Sequence, residues 1–318
     1  MTEPKTMRDC LIDGLFRRMQ KNKDIFFLSA DFGSPKLDQI REKIPERFIN
    51  VGIAEQNLIN VATGLALEGF TVFAYAIAPF LTMRPYEQIR INLSLHAQLK
   101  AINVNLIGVG AGLSYDVSGP THHCLEDITV MRALPHMEVF SPSDWVLAEK
   151  FLDYSLAVAK PKYLRLDGKP VPRIYPDTAD IDIGKGFFEL RKGQEICFVS
   201  TGIMTHKALE AAEALQREKI SAGVVDLFLI NSGNAGLLYE TLKPYRAIVT
   251  AEEAFINKGG IDSLILSLLN QQGSSAKVRR MGFADRYIFD MGSREHLHRL
   301  HHVDVPSMVK NARELLSL

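Results

Sequence analysis

Arg47-Phe-Ile-Asn-Val-Gly-Ile-Ala-Glu-Gln-Asn-Leu58, running on as Ile-Asn-Val-Ala-Thr-Gly-Leu-Ala-Leu-Glu-Gly-Phe70, is the stretch whose reading decides the fold. Phe48 to Val51 reads as a short buried strand, Gly52 as a turn, and about Ala54 to Glu68 as a helix. Leu58, Val61, Ala62 and Leu65 recur at helical spacing and give that helix one apolar face. Glu55 then stands in the first helical turn, at the carboxyl end of a strand, the edge at which open α/β sheets bind ligands. A plainer reading of the same acid is a carboxylate that complements the positive end of a helix dipole.

The flanking sequence repeats the pattern. Residues 7–21 read as a helix with Leu11, Leu15 and Met19 on one face. Ile25 to Ala30 reads as a buried strand that ends in Asp31-Phe-Gly-Ser-Pro35, where the acid either faces a site or closes an Asx-turn. Further strands are expected at Thr71–Ala76, Ala101–Val109, Met137–Phe140 and Lys162–Leu166, with a helix over Ser143–Val158. Ile77 to Tyr86 reads as an apolar loop. In Gly110 to His123 the glycines, Gly112 among them, let backbone approach a ligand closely. Glu126 and Asp127 read as residues that cap and charge the next helix.

Residues 168–185 are rich in Pro, Asp and Gly and read as a linker. Beyond it, strands at Ile196–Ser200, Ala222–Asp226 and Ala247–Thr250 alternate with helices. The expected fold is therefore α/β: two doubly wound domains, each with a mostly parallel sheet flanked by helices. The divisions are 1–170, a linker at 171–185, and 186–318. His296, His298, His301 and His302 fall in a predicted helix and read as a solvated face, because no acid or cysteine completes a zinc site.

Composition narrows the function. Lys plus Arg and Asp plus Glu balance at 37 each, which leaves no electrostatic footprint for nucleic acid or an anionic membrane. Apolar runs are of strand length, and Met-Thr-Glu-Pro-Lys5 carries no apolar leader. Cys10, Cys124 and Cys197 are far apart with no CxxC, as in a reducing cytoplasm. The expectation is a cytoplasmic protein.

Ile53-Ala-Glu-Gln-Asn57 strongly resembles the glutamate motif of the transketolase superfamily of thiamine diphosphate enzymes. The resemblance continues in Ala62-Thr-Gly-Leu-Ala66, Tyr86-Glu-Gln-Ile-Arg90, Gly119-Pro-Thr-His-His-Cys-Leu-Glu-Asp127 and Phe140-Ser-Pro-Ser-Asp144. These pieces keep the family's order and spacing, and the second half resembles the family's C-terminal domain. The resemblance implies a pyrimidine-binding domain over 1–170. It implies that Glu55 hydrogen-bonds the aminopyrimidine ring nitrogen and that Phe80 stacks on the ring. A gap-free alignment puts Leu81 at the stacking place instead. Asp31, Tyr86 and Gly112 are implied near the cofactor, and His122 faces the substrate's oxygens, with Arg8, Ser118 and Arg165 also toward substrate.

The family's Gly-Asp-Gly segment for the diphosphate and metal does not occur in this sequence. That implies a partner chain, a diphosphate-binding transketolase N-terminal subunit in an α2β2 assembly. The partner would hold Mg2+ (or Ca2+), with no metal ligand from this chain. Sugar-phosphate transketolases usually carry histidine, aspartate and arginine near Gly110, Ser118 and Gly168. A partly dismantled phosphate clamp implies a modified sugar. Competing readings are a 2-oxoacid dehydrogenase E1 beta-like or deoxyxylulose-phosphate synthase-like subunit, and a non-catalytic scaffold; retained Glu55 and His122 argue against the scaffold.

Overall fold

Apolar runs too short for buried helices pair into two sheets. The computed structural model describes residues 3–231 and 233–317. The first unit runs α1 (Met7–Met19), β1 (Ile25–Ser29), α2 (Leu37–Lys43), β2 (Phe48–Asn50), α3 (Glu55–Leu67), β3 (Thr71–Ile77) and α4 (Ala78–Met83). It continues through α5 (Tyr86–Gln88), β4 (Asn103–Val109), α6 (Asp127–Arg132), β5 (Glu138–Phe140), α7 (Trp145–Ala157) and β6 (Lys162–Leu166). Its strands lie in the order β2-β1-β3-β4-β6-β5, all parallel. The chain winds one way from β1 to β2 and the other way from β3 to β4. The crevice at the carboxyl ends of β1 and β3 is therefore the switch point where such sheets bind ligands.

The second unit comprises β7 (Phe187–Arg191), β8 (Ile196–Ser200), α8 (Ile203–Arg217), β9 (Ala222–Leu227), α9 (Ala235–Leu242) and β10 (Ala247–Phe255). It ends with α10 (Ile261–Gln271), β11 (Lys277–Phe283), α11 (Arg294–Leu300) and α12 (Val305–Ser317). The strand order is β11-β10-β8-β9-β7, with β7 antiparallel to β9 and the other pairs parallel. Both sheets are mostly parallel and helix-flanked, as the sequence predicts. Among the described residues no helix is long and apolar enough to cross a membrane.

Three expectations need correction. The 48–51 strand is not buried: β2 is the sheet edge, with Phe48 and Ile49 half-buried, Asn50 exposed and Phe48 stacked on Phe27 of β1 at 6.2 Å. The apolar stretch after β3 is helical rather than a loop, because Pro79 suits the first turn of α4, where no backbone donor is needed. The histidine-rich helix is not a solvated face: Arg294 and His298 of α11 are buried, and His298 shares a hydrogen bond with Glu253.

Buried polar clusters join the two units. In one, the carboxylate of Asp226 accepts from Ser143, from Tyr175 at 2.7 Å and from Thr205 at 2.9 Å. Ser143 lies just before α7 and Tyr175 in the connecting stretch, so that stretch is packed rather than a loose tether. Burial pushes the Asp226 carboxyl up to about 7 in spite of its three hydroxyl donors. An ordinary aspartate in the unfolded chain titrates near ~3.9. Between those values the folded state holds a proton that the unfolded state has lost, so this group's contribution to stability falls as pH rises. The stability difference between the wild-type chain and Asp226→Asn, from urea denaturation between pH 4 and 8, should decline with rising pH. Its slope should be up to roughly 1.4 kcal/mol per pH unit. Parallel profiles would contradict the assignment.

Candidate active site

Glu55 opens α3 and is only 6% exposed. No side chain caps this helix, so the Glu55 carboxylate is free to point across the crevice. It accepts a hydrogen bond from Arg84 Nη1 at 2.7 Å. The Arg84 guanidinium lies over the ring of Phe80, 4.0 Å from its centroid. Phe80 meets the ring of His122 edge-on at 5.3 Å. His122 Nδ1 is 3.0 Å from the Thr121 hydroxyl. Three residues expected at the site, Glu55, Phe80 and His122, thus converge through a fourth that the sequence reading does not single out. The only hint of Arg84 in the sequence is a cation set in an apolar run.

At the end of β1, Asp31 has a left-handed φ of 52° and is exposed. Asp31 and Asn50 exchange two hydrogen bonds, each 3.0 Å, and Asn50 also accepts from the Gly52 amide at 3.0 Å. This lock ties the ends of β1 and β2 to the turn that delivers Glu55. Arg8 is half-buried and donates to Asp9 at 2.9 Å. Ser118 is exposed at the tip of the Gly110–His123 loop.

Four expected residues are placed differently. Leu81 is fully buried in the core, because the next residue on a helix turns about 100° away from the face Phe80 presents. Tyr86 donates its hydroxyl to the Val130 carbonyl at 2.9 Å and ties α5 to α6. Gly112 has a φ of 56°, but the group that approaches it is the chain's own Glu253 carboxylate, which a Cβ there would overlap. Arg165 is 3% exposed and donates to Asp127 at 2.7 Å and to the Glu253 carbonyl at 2.9 Å. It is a buried structural cation, not a substrate contact. Asp127 likewise does not cap α6: it accepts from Arg165 and, at 2.8 Å, from Tyr163.

The second unit reaches this edge through α11. Arg294 donates to Glu253 at 2.8 Å and to Asp167 at 2.6 Å, and its backbone amide donates to Asp116 at 2.6 Å. Burial pushes the Glu253 carboxyl up, yet Arg294 and His298 hold it well below the usual carboxylate range. Asp116 also pairs with Lys169, and these two contacts outweigh burial and lower its carboxyl. These pairings join distant segments, and no local pattern in the sequence announces them.

With this geometry, the family comparisons agree. The family description "Transketolase, pyrimidine binding domain" matches residues 3–172, and "Transketolase, C-terminal domain" matches residues 187–308. The chain belongs to the transketolase family. It is 31% identical over 316 residues to one subunit of the apulose-4-phosphate transketolase of Actinobacillus succinogenes, covering 99% of this chain and 100% of that one. It is 29% identical to a 6-deoxy-6-sulfo-D-fructose transketolase subunit of Clostridium sp. strain MSTE9, covering 98% and 95%. Among solved structures, one titled "Split gene transketolase, inactive beta4 tetramer" superimposes with a TM-score of 0.88 at 31% identity, over 98% of this chain and 99% of that one.

Thiamine diphosphate is the cofactor this family implies, and the residues fit its aminopyrimidine. The flat Arg84 guanidinium, with its donor toward Glu55 and its face on Phe80, already shows that the recess between carboxylate and ring accepts a planar nitrogenous group.

Stability separates the two sets of residues. Asp127→Ala leaves the buried Arg165 unpaired and should lower the unfolding free energy by about 3–5 kcal/mol. Arg84 is 47% exposed and its removal opens the crevice around Glu55 to water, so Arg84→Ala should cost less than Asp127→Ala. Urea titrations of both variants check this; equal losses would contradict the division into a structural pair and a site pair.

Proposed function

We propose that this chain is one subunit of a two-chain, thiamine diphosphate-dependent transketolase. The enzyme moves a two-carbon ketol unit from a ketose donor to an aldose acceptor, with a modified sugar among its substrates. The observation that carries this reading is the convergence of Glu55, Phe80 and His122 at the switch point. Beside them, Ile53, Met83 and Val117 are 75%, 40% and 72% exposed. Large apolar side chains exposed around a recess support a covering partner surface. The relatives named as transketolase subunits match this chain over nearly their whole length, which supports the two-chain arrangement.

In this reading the partner is a diphosphate-binding transketolase N-terminal subunit that holds the diphosphate and Mg2+ (or Ca2+) in an α2β2 assembly. The cofactor, when bound, supplies the electron sink for carbon–carbon cleavage. Glu55 would hydrogen-bond the aminopyrimidine ring nitrogen and share a proton with it. Phe80 offers a flat apolar face, so the heteroaromatic ring is buried without further polar partners. Arg84 must release one or both of these contacts for the ring to enter. His122 sits where it can pass a proton to or from a sugar oxygen, and Asp31, Arg8 and Ser118 bound the same edge. Three free thiols suit the cytoplasm. The relatives' substrates, an apulose phosphate and a sulfo-sugar by name, support a sugar outside the common pentose phosphates.

Calorimetric titration of thiamine diphosphate and Mg2+ into the isolated chain should give no micromolar binding, whereas the chain mixed with its partner should bind. Glu55→Gln should assemble normally and lower kcat by on the order of 10²-fold or more. Micromolar binding to the isolated chain would contradict the shared site. Near-normal turnover of the Glu55→Gln complex would contradict the role of Glu55.

A further inference from the structure

A cavity of about 230 Å3 lies where the two units meet, at the end of α6 away from the loop that carries His122. The first unit contributes Arg132, the last residue of α6. The second contributes Leu238 of α9, Leu264 and Leu268 of α10, and Phe187 of β7. Phe187, Leu238 and Leu268 are buried. Arg132 and Lys185 are the two cations in the wall, and among the described residues no acid lines it.

Arg132 is half-buried and only partly matched. Its Nη1 donates to the Gly260 carbonyl at 2.7 Å and to the Gly259 carbonyl. Among the described residues neither Nε nor Nη2 has a hydrogen-bond partner, and Nε is buried. Burial lowers the pKa of this guanidinium, and Glu252 and Asp262 are the acids that act against that. Both acids are taken up elsewhere at the start of α10. Glu252 accepts from the Ile261 amide at 2.9 Å and the Asp262 amide at 3.0 Å, and burial pushes its carboxyl up to about 7. Asp262 accepts from the Asn257 amide at 2.7 Å and the Ser263 hydroxyl at 3.0 Å. Lys185 sets its Nζ over the Phe187 ring, 4.5 Å from the centroid. The second cation of the wall therefore also rests on an apolar group.

Nε and Nη2 are the pair of parallel donors with which an arginine grips a carboxylate. A polar edge withdrawn from water without a partner is costly, and an anion arriving there relieves that cost. The leucines beside it favour an anion that brings an apolar body of its own. We propose that this cavity is a binding site for a small monocarboxylate with a compact apolar body. Its carboxylate takes the Nε–Nη2 edge of Arg132, with Lys185 beside it, and its apolar part packs on Leu238, Leu264 and Leu268. An inorganic phosphate would leave those leucines uncovered, and an uncharged hydrocarbon would leave the Arg132 edge unpaired. The occupant touches both units, so it holds α6 against α10 from outside the recess of Glu55, Phe80 and His122.

The test uses 4-bromobenzoate as probe, with 4-bromobenzyl alcohol and acetate as controls that lack the charge and the apolar body. Calorimetric titrations are run on the full chain and on the two-chain enzyme. Both should show one saturable site for 4-bromobenzoate, at least about tenfold tighter than for either control. Anomalous scattering from a crystal soaked in the probe should place the bromine among Leu238, Leu264 and Leu268, with the carboxylate on Arg132. Arg132→Gln should weaken binding by about tenfold. Leu264→Trp fills the cavity without removing the cation and should abolish binding, so the inference stays testable if Arg132→Gln does not fold. No saturation up to about 10 mM probe, equal binding of the alcohol, a bromine outside the cavity, binding that persists in Leu264→Trp, or loss of the site on assembly would each overturn the inference.

Discussion

A buried guanidinium has to be matched, and Arg294, 6% exposed, is matched from two units at once. Glu253 of β10 takes one side of it, Asp167 past β6 takes another, and its backbone amide holds Asp116. Removing water from so many charges is tolerable only when each finds its counterion. The pairing therefore sets the position of both loops relative to α11. Those loops carry Tyr115, Ser118 and His122 on one side and Gly168 on the other. The second unit thus shapes the edge of the first that carries the candidate site.

The edge so held carries the candidate site. The winding of the first sheet reverses between β1 and β3, which opens a crevice at their carboxyl ends. The Asp31–Asn50 lock delivers Glu55 to one wall, and α4 delivers Phe80 to the other. Arg84 bridges them. The exposed Ile53, Met83 and Val117 lie on segments that border this crevice. A partner covering them would exclude water from the cofactor face, which strengthens every polar contact inside.

Much of this is legible in residue order. The helical spacing of Leu58, Ala62 and their neighbours marks α3, and the strand–turn before it marks Glu55 at a ligand-binding edge. What the pattern cannot convey is spatial neighbourhood. A short strand such as Phe48-Ile-Asn50 reads alike at the centre and at the edge of a sheet. Arg165 looks free for substrate in the sequence because its counterion Asp127 and its acceptor at Glu253 come from separate segments. Gly112 announces close approach, but to the protein's own Glu253 rather than to a ligand. His298 reads as surface because its partner lies 45 residues away on another element.

The central claim is that this chain and a diphosphate-binding partner together carry a two-carbon ketol unit between sugars. The most direct measurement is to supply the two-chain enzyme, thiamine diphosphate and Mg2+ with a ketose labelled with carbon-13 at its first two carbons, and to follow the label by NMR. The account predicts that both labelled carbons appear, still bonded to each other, at the ketose end of the product, and that neither chain alone moves them. Label released as an acetyl group or as carbon dioxide, or transfer by one chain without the other, would contradict it.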